Sequence, residues 1–380
     1  MRIKVNASST VSNEIGADRL SCAFPATCKL HNQEILCVYR MGRTKHSRDG
    51  VLVVQKSIDG GHSWHKPTTV GNLMRSPVPQ SVHAGAVCQA SDGTVYAMFT
   101  AVSAQNPEEY IFSETGRKLE QHFYSVHSHD NGDTWTQPKV QSIPNTPALR
   151  YINSRPLALP DGDLLVPIEV TTSDNRQAIM TSRYSPSDKT FAPAILCAAD
   201  STGRLSFGDP SLEQLPNGKI LVLAWTYINS TEETIQAHIC TSQNFGQTWT
   251  EPRPTAILCQ NAALLLNSSN DMYIAGNVRL PPHGIRLWHS PDSGDTWDTR
   301  TCLQLYDMDT NKISGLPPLS YSQEDYDHKS SGLWNSLPSF TFGAPDLVIS
   351  TDDNILLTYY AVTHNTEEVR ACTFELSLKE

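Results

Sequence analysis

Short apolar runs, each opened by a tight-turn pair, recur along this chain from one end to the other. His31-Asn32, Asp92-Gly93, Asp161-Gly162, Asn217-Gly218, Asn270-Asp271 and Asp353-Asn354 are such pairs. The runs that follow them are Glu34–Tyr39, Thr94–Thr100, Leu164–Val170, Lys219–Trp225, Met272–Gly276 and Ile355–Tyr360. Runs this short, bounded by Asn, Asp and Gly, predict strands meeting at hairpins. None approaches the eighteen apolar residues of a membrane span.

A second signal repeats in phase with the first. Ser57-Ile58-Asp59-Gly60-Gly61-His62-Ser63-Trp64 has counterparts in Ser128–Trp135, Ser242–Trp249 and Ser290–Trp297. All four read Ser-x-Asp/Asn-x-Gly-x-Ser/Thr-Trp, and Pro67, Pro138 and Pro252 follow three of them. Ser185-Pro186-Ser187-Asp188-Lys189-Thr190-Phe191 is a worn fifth copy. The chemistry of this Asp-box is structural. A short Asp or Asn side chain closes a turn on nearby backbone N–H groups, Gly supplies the backbone angle, and Trp plugs the gap between sheets. A structural role is therefore expected for Asp59, Asp130 and Asp292.

Each unit reads strand A, hairpin, strand B, loop, strand C, Asp-box, strand D. Six such units predict an all-β fold, a six-bladed β-propeller with four-stranded antiparallel blades in one domain over 1–380. The blades run roughly 18–70, 80–142, 150–198, 205–257, 259–306 and 340–376. The sixth unit stops at Val369–Leu376 without a strand D, and residues 2–8 are expected to supply it and close the ring.

The sequence of 380 residues carries a formal net charge of −10, which speaks against a nucleic-acid or anionic-membrane partner. The N-terminal residues Met1–Asn6 have no apolar signal segment, and the nine cysteines form no CxxC pair. Buried free thiols in the cytoplasm are expected. No metal or phosphate-binding motif is found, so no cofactor is implied.

Asp-box turns join strands C and D on one rim, so the opposite rim is expected to carry chemistry. The longest irregular stretches, Gln105–Lys118 and Met308–Ser339, fall there. The insertion 308–339 is a candidate lid, with Tyr326, Asp327 and Trp334 as stacking residues. Strand A starts converge at the same mouth, bringing His83, Asn153, Arg155, Asp209, Asn261 and Asp346. The B-to-C loops add Arg40, Arg43, His46, Asp49, Glu169, Asp174, Tyr227, Asn229, Arg279, His283 and His364. Paired carboxyls can serve as acid and base on a sugar, and Arg can grip a carboxylate in two-pronged fashion.

The Asp-boxes, the six units and the stretch Leu36–Arg43 leading through Asp49-Gly50 into the first box resemble the sialidase (neuraminidase) superfamily. That resemblance implies Asp49 as the acid, with His46 nearby, and Asp209 as the blade 4 carboxylate. It breaks elsewhere: the first carboxylate-binding arginine falls on Ala23, the second on Trp225, and the nucleophilic tyrosine near Ala344.

The leading expectation is a sialidase-like exo-glycoside hydrolase acting on a carbohydrate with a terminal, acidic or neutral, sugar. Asp209, Asp49 and His46 are its catalytic candidates. Arg40, Arg43, Arg155, His83, Glu169, Asn261, Asp346, Tyr227 and Arg279 are its substrate-binding candidates. A uronate lyase working through His, Tyr and Arg, and a non-catalytic glycan-binding propeller, are the two alternatives.

Overall fold

A computed structural model describes residues 1–12, 21–105, 121–316, 341–351, 353–363 and 366–377. Every regular element among them is a strand. The opening strand is β1 (Arg2–Thr10). Unit 1 holds β2 (Ser21–Lys29), β3 (Ile35–Gly42), β4 (Val51–Ser57) and β5 (Thr68–Gly71). Unit 2 holds β6 (Gln80–Gln89), β7 (Val95–Ser103), β8 (Gln121–Ser128) and β9 (Lys139–Gln141). Unit 3 is more broken: β10 (Ala148–Tyr151), β11 (Leu157–Ala158), β12 (Leu164–Thr171), β13 (Gln177–Ser185), β14 (Thr190–Phe191) and β15 (Ile195–Ala198). Unit 4 has β16 (Leu205–Gln214), β17 (Ile220–Ile228), β18 (Thr234–Ser242) and β19 (Arg253–Leu258). Unit 5 has β20 (Ala262–Leu266), β21 (Met272–Val278), β22 (Gly284–Ser290), β23 (Asp298–Asp307) and β24 (Lys312–Leu316). Unit 6 has β25 (Phe342–Ile349), β26 (Ile355–Thr363) and β27 (Thr366–Ser377).

These strands form a propeller-like arrangement of antiparallel sheets, but not six equal quartets. Hydrogen bonding gives five sheets, and only units 2 and 4 are plain four-stranded ones. Units 1 and 6 merge into one eight-stranded sheet, because Ser21 of β2 bridges Glu367 of β27 in parallel. In unit 3, Pro156 interrupts the inner strand and Pro193 the outer one, since proline cannot donate to a ladder. Unit 5 gains β24, paired with β23, inside a stretch expected to be irregular. β1 runs antiparallel along β27, from Arg2 opposite Ser377 to Thr10 opposite Arg370.

The core is divided. Among the described residues the buried hydrophobic side chains fall into six clusters, each shared by two successive units. The cluster of Cys37, Tyr39, Val53, Leu356 and Val369 joins unit 6 back to unit 1. Asp-box turns seal the same seams. Gly132, Gly246 and Gly294 lie on Leu36, Leu165 and Leu221, the second residues of strand B in the preceding units. Gly61 lies likewise on Leu356 of unit 6, where an added Cβ would come within 2.7 Å of a leucine methyl. Each of these glycines has a positive φ, so two constraints disfavour any other residue.

Within the turns, one hydrogen-bond pattern repeats. Asp130 accepts from Ser128 Oγ at 2.7 Å, Thr134 N at 2.9 Å and Thr134 Oγ1 at 2.6 Å. Asp59 and Asp292 accept the same set. Asn244 keeps the same partners, its Oδ1 accepting from Ser242 Oγ and Thr248 N while its Nδ2 donates to Thr248 Oγ1. Bonds from Thr134 and then Ser128 hold the Asp130 carboxyl well below the usual carboxylate range.

Candidate active site

Strand A breaks its register at the same place in three units. The shifts lie between Ala23 and Ala26, Gly208 and Ser211, and Gly343 and Asp346. Each bulge holds a non-glycine residue with positive φ directly before a proline: Phe24 (57°), Asp209 (46°) and Ala344 (47°). A residue before proline is driven out of the right-handed helical region, and a bulge re-aims its side chain. Such backbone costs about 1–3 kcal/mol per residue and persists only where its surroundings over-determine it. These bulges mark the end of strand A remote from the Asp-boxes. At the other end, Lys29 Nζ donates to Ser350 O (2.7 Å), and Ser350 Oγ to Gly60 O of the first box (2.5 Å).

Asp209 is held from unit 3. Its Oδ1 accepts from Tyr151 Oη at 2.9 Å and from Asn153 Nδ2 at 2.7 Å. Its own N–H donates to Oε2 of the buried Glu169 at 3.0 Å. Tyr151 and Glu169 face each other across β10 and β12, so one strand pair supplies both contacts.

Imidazoles continue the cluster. The His83 ring stands edge-on to Tyr151 with centroids 5.2 Å apart, and His46 lies 6.1 Å from His83. Phe24 fills the angle between them, 5.7 Å from His46 and 6.0 Å from His83. Gln121 Nε2 lies 3.2 Å from His83 Nδ1. An amide nitrogen only donates, so with this amide orientation Nδ1 accepts and Nε2 carries the proton of neutral His83.

Cations close the far side. Tyr360 lies opposite Gly343 and 5.8 Å from Phe24, with Lys45 Nζ 5.2 Å from the centre of its ring. Arg279 lies over the Phe342 ring at 4.3 Å, and its Nε donates to Gln260 Oε1 at 3.0 Å. A Cβ on Gly343 would meet Arg279 Nη2 at 2.7 Å, Tyr360 Oη at 3.0 Å and Asn277 Nδ2 at 3.1 Å. Three polar groups from units 5 and 6 thus share the room that this glycine leaves. Burial lowers the pKa of Arg279, against the pull of Tyr360 and Asp209.

Beside the bulges, residues of units 1, 3, 4, 5 and 6 line a small open cavity. Arg155 crosses it, with Nη1 3.2 Å from Thr27 O and 3.4 Å from Leu347 O. Asp346 Oδ2 accepts from Thr27 N and Oγ1, both at 2.6 Å. Glu213 is a third charged group, coupled to Arg155. Burial pushes its carboxyl above the usual range although Arg155 pulls it down.

The sequence candidates therefore separate into groups. Asp209, Glu169, His46, His83 and Arg279 fall in one cluster around the bulges. Arg155 and Asp346 lie deeper in the channel, and Asn261 lines it. Arg40, expected to bind substrate, is fully buried instead, donating to Val82 O at 3.0 Å, Thr44 O at 2.6 Å and Ser47 O. It ties down the loop that carries His46. Arg43 and Asp49 engage each other at 3.3 Å, and Asp49 Oδ1 also accepts from Ser47 Oγ at 2.5 Å. Tyr227 is buried beside Trp225, whose Nε1 donates to Thr234 Oγ1 at 3.1 Å. His364, Tyr326, Asp327 and Trp334 lie outside the described residues, as does 317–339 of the candidate lid.

Tyr151, Tyr360 and Lys45 are the residues that sequence reasoning passed over. A signal for Tyr360 was present. Arg40, Trp225 and Tyr360 follow Phe24-Pro25, Asp209-Pro210 and Ala344-Pro345 at one fixed spacing, and they sit opposite Ala23, Gly208 and Gly343.

A family profile described as a BNR repeat-like domain matches residues 85–355. No curated protein matches the chain. A crystal structure of a protein of unknown function from Dyadobacter fermentans is 18% identical, covers 99% of each chain and superposes with a TM-score of 0.71. The Hadza microbial sialidase Hz136 is 15% identical with a TM-score of 0.63, over 92% of this chain and 65% of its own. Trypanosoma rangeli sialidase in complex with sialic acid is 12% identical with a TM-score of 0.63, over 98% of this chain. The chain spans about 58% of that sialidase. At such identities these likenesses establish the fold alone.

Proposed function

The chain belongs to the BNR repeat-like domain family, and from that premise we propose that it is a sialidase-like glycoside hydrolase. Its substrate is a glycan or oligosaccharide from which it removes a terminal acidic sugar. The eight-stranded sheet counts in this reading as two blades joined by one bridge, which gives a six-bladed ring with a single mouth.

The Tyr151–Asp209 hydrogen bond carries the proposal. Asp209 takes the phenolic proton as the Tyr151 oxygen attacks the anomeric carbon. The glycosidic C–O bond breaks, and its oxygen leaves with a proton from His46. His46 then deprotonates a water, which attacks the anomeric carbon, and Tyr151 departs with the proton returned by Asp209. His46 takes the acid role because Asp49 is occupied as an acceptor by Arg43 and Ser47. Arg279, with Lys45 near by, offers positive charge to a sugar carboxylate. A neighbouring fold is recorded with sialic acid bound, which agrees with an acidic ligand. All nine cysteines are buried and unbridged, which supports a cytoplasmic setting.

A uronate lyase is the second reading, favoured by the His46–His83–Tyr151 cluster. In it Tyr151 abstracts the proton beside the carboxylate, and an unsaturated sugar appears. The test is a screen with 4-methylumbelliferyl glycosides of sialic and hexuronic acids, with release of unsaturated product followed on uronate polymers. Hydrolysis that falls at least a hundredfold in both Asp209→Asn and Tyr151→Phe is expected. Undiminished turnover in Asp209→Asn, or unsaturated product alone, overturns the hydrolase.

A further inference from the structure

We infer that Glu169 is a positioning residue for Asp209, holding the bulge of unit 4 from the neighbouring sheet. The inference rests on Asp209 being the base proposed above.

Glu169 is 1% exposed in the middle of β12, among Leu165, Val166, Ile168 and Val170. A carboxylate in such a place needs compensating polar contacts, and an aliphatic residue would fill the strand position at no such cost. The contact it makes is specific. A left-handed residue turns its N–H out of the strand ladder, and that of Asp209 is received by Glu169 Oε2 at 3.0 Å. The adjoining backbone is shaped to the carboxylate. A Cβ on Gly208 would stand 3.0 Å from Glu169 Oε2 and 3.1 Å from Gln177 Oε1, tighter than side chains normally pack.

Geometry then couples the contact to the chemistry. Glu169 sits opposite Tyr151 in the β10–β12 pair, and Tyr151 holds the Oδ1 atom of the same Asp209. Unit 3 thus grips Asp209 at backbone and side chain together. Losing the backbone grip lets the bulge relax and swings the carboxylate away from the phenol. A misplacement of this size at reacting atoms lowers kcat far more than it alters binding.

The experiment compares Glu169→Leu, Glu169→Gln and Asp209→Asn by turnover of the acidic glycoside probe and by crystal structure. For Glu169→Leu, kcat is expected to fall at least thirtyfold with KM changed less than threefold. Its Asp209 φ should be negative and its Tyr151–Asp209 separation beyond hydrogen-bonding range. Glu169→Gln keeps an acceptor oxygen and should recover most of the loss, falling three- to fivefold. If Asp209→Asn is inactive while Glu169→Leu keeps its kcat, positioning is wrong and the proposed base stands. If no acidic glycoside is turned over at all, the hydrolase reading fails. The backbone at Asp209 in the Glu169→Leu crystal then decides the inference alone, an unmoved bulge overturning it.

Discussion

Tyr151 donates its phenolic hydrogen to Oδ1 of Asp209 at 2.9 Å, across the seam between two sheets. Neither residue is near the other in sequence, and neither strand alone makes a site. If the pair works as one proton-transfer unit, the two substitutions cannot add. Tyr151→Phe and Asp209→Asn should each lower kcat by about 10²–10⁴, the span of a lost acid–base step. The double variant should be no slower than the worse single. A double variant slowed by the product of the two effects indicates independent roles, and steady-state kinetics on the four proteins reads this directly.

Arg40 illustrates an arginine whose position suggests binding and whose contacts do not. Its guanidinium is committed to carbonyls of the 44–47 loop and of Val82. Arg40→Met takes the guanidinium donors from these carbonyls and leaves Thr44 O and Ser47 O to the hydroxyls of Ser47 and Ser81, so stability should fall by about 1–3 kcal/mol. Urea unfolding gives the loss. Limited proteolysis should cut first between Arg43 and Asp49, and cutting elsewhere with the loop intact contradicts the anchoring role.

The channel charges set a pH dependence. Glu213 has a carboxyl raised above its ordinary value of 4.5 by burial, so the unfolded chain releases its proton first as pH rises. The stability tied to protonated Glu213 is complete below about 4.5 and is lost as pH climbs through the raised folded value. Glu213→Gln should flatten that part of the stability–pH curve and stabilise the protein at neutral pH. Arg155→Leu should do the reverse, since it strands Asp346 and Glu213. Denaturation across the pH range tests both, and parallel curves for wild type and Glu213→Gln contradict the assignment.

Asp130 works in the opposite direction. Its carboxyl is depressed by hydrogen bonds from Thr134 and Ser128, so its contribution is present above the unfolded pKa of about 3.8 and lost as pH falls through the lower folded one. Unit 4 carries Asn244 in the equivalent turn with the same partners, at 2.9 Å from Thr248 N and 3.0 Å from Thr248 Oγ1. Asp130→Asn is therefore expected to fold normally and to lose only this acid sensitivity. Asp130→Ala should cost about 1 kcal/mol at neutral pH. Equal stabilities for the Asn and Ala variants, measured by thermal melts, contradict the turn-closing role.

Much of the local structure was legible because it is encoded locally. The six hairpins appear where Asn, Asp and Gly pairs stand, since those residues select the turn whatever surrounds it. The four Asp-boxes form as their spelling requires, because Asp59, Asp130, Asn244 and Asp292 bond within their own few residues. Departures come from proline and from long range. Pro156 and Pro193 break strands that the repeat drew as continuous, and β24 pairs where no turn signal announced it.

The sequence by itself determined the repeat, its strand periodicity and the rim that holds every Asp-box, because turn chemistry and alternation act between near neighbours. Only the tertiary structure decided which polar residues meet. Phe24, Asp209 and Ala344 acquire left-handed backbone at bulges, and a bulge redirects its side chain in a way no pattern of residue types records. Tertiary packing likewise sent Arg40 inward to loop carbonyls, Arg155 across the channel, and Tyr151 to Asp209. Those outcomes depend on where the sheets of the propeller-like fold place their strand ends, a long-range geometry set by the packing at the seams between them.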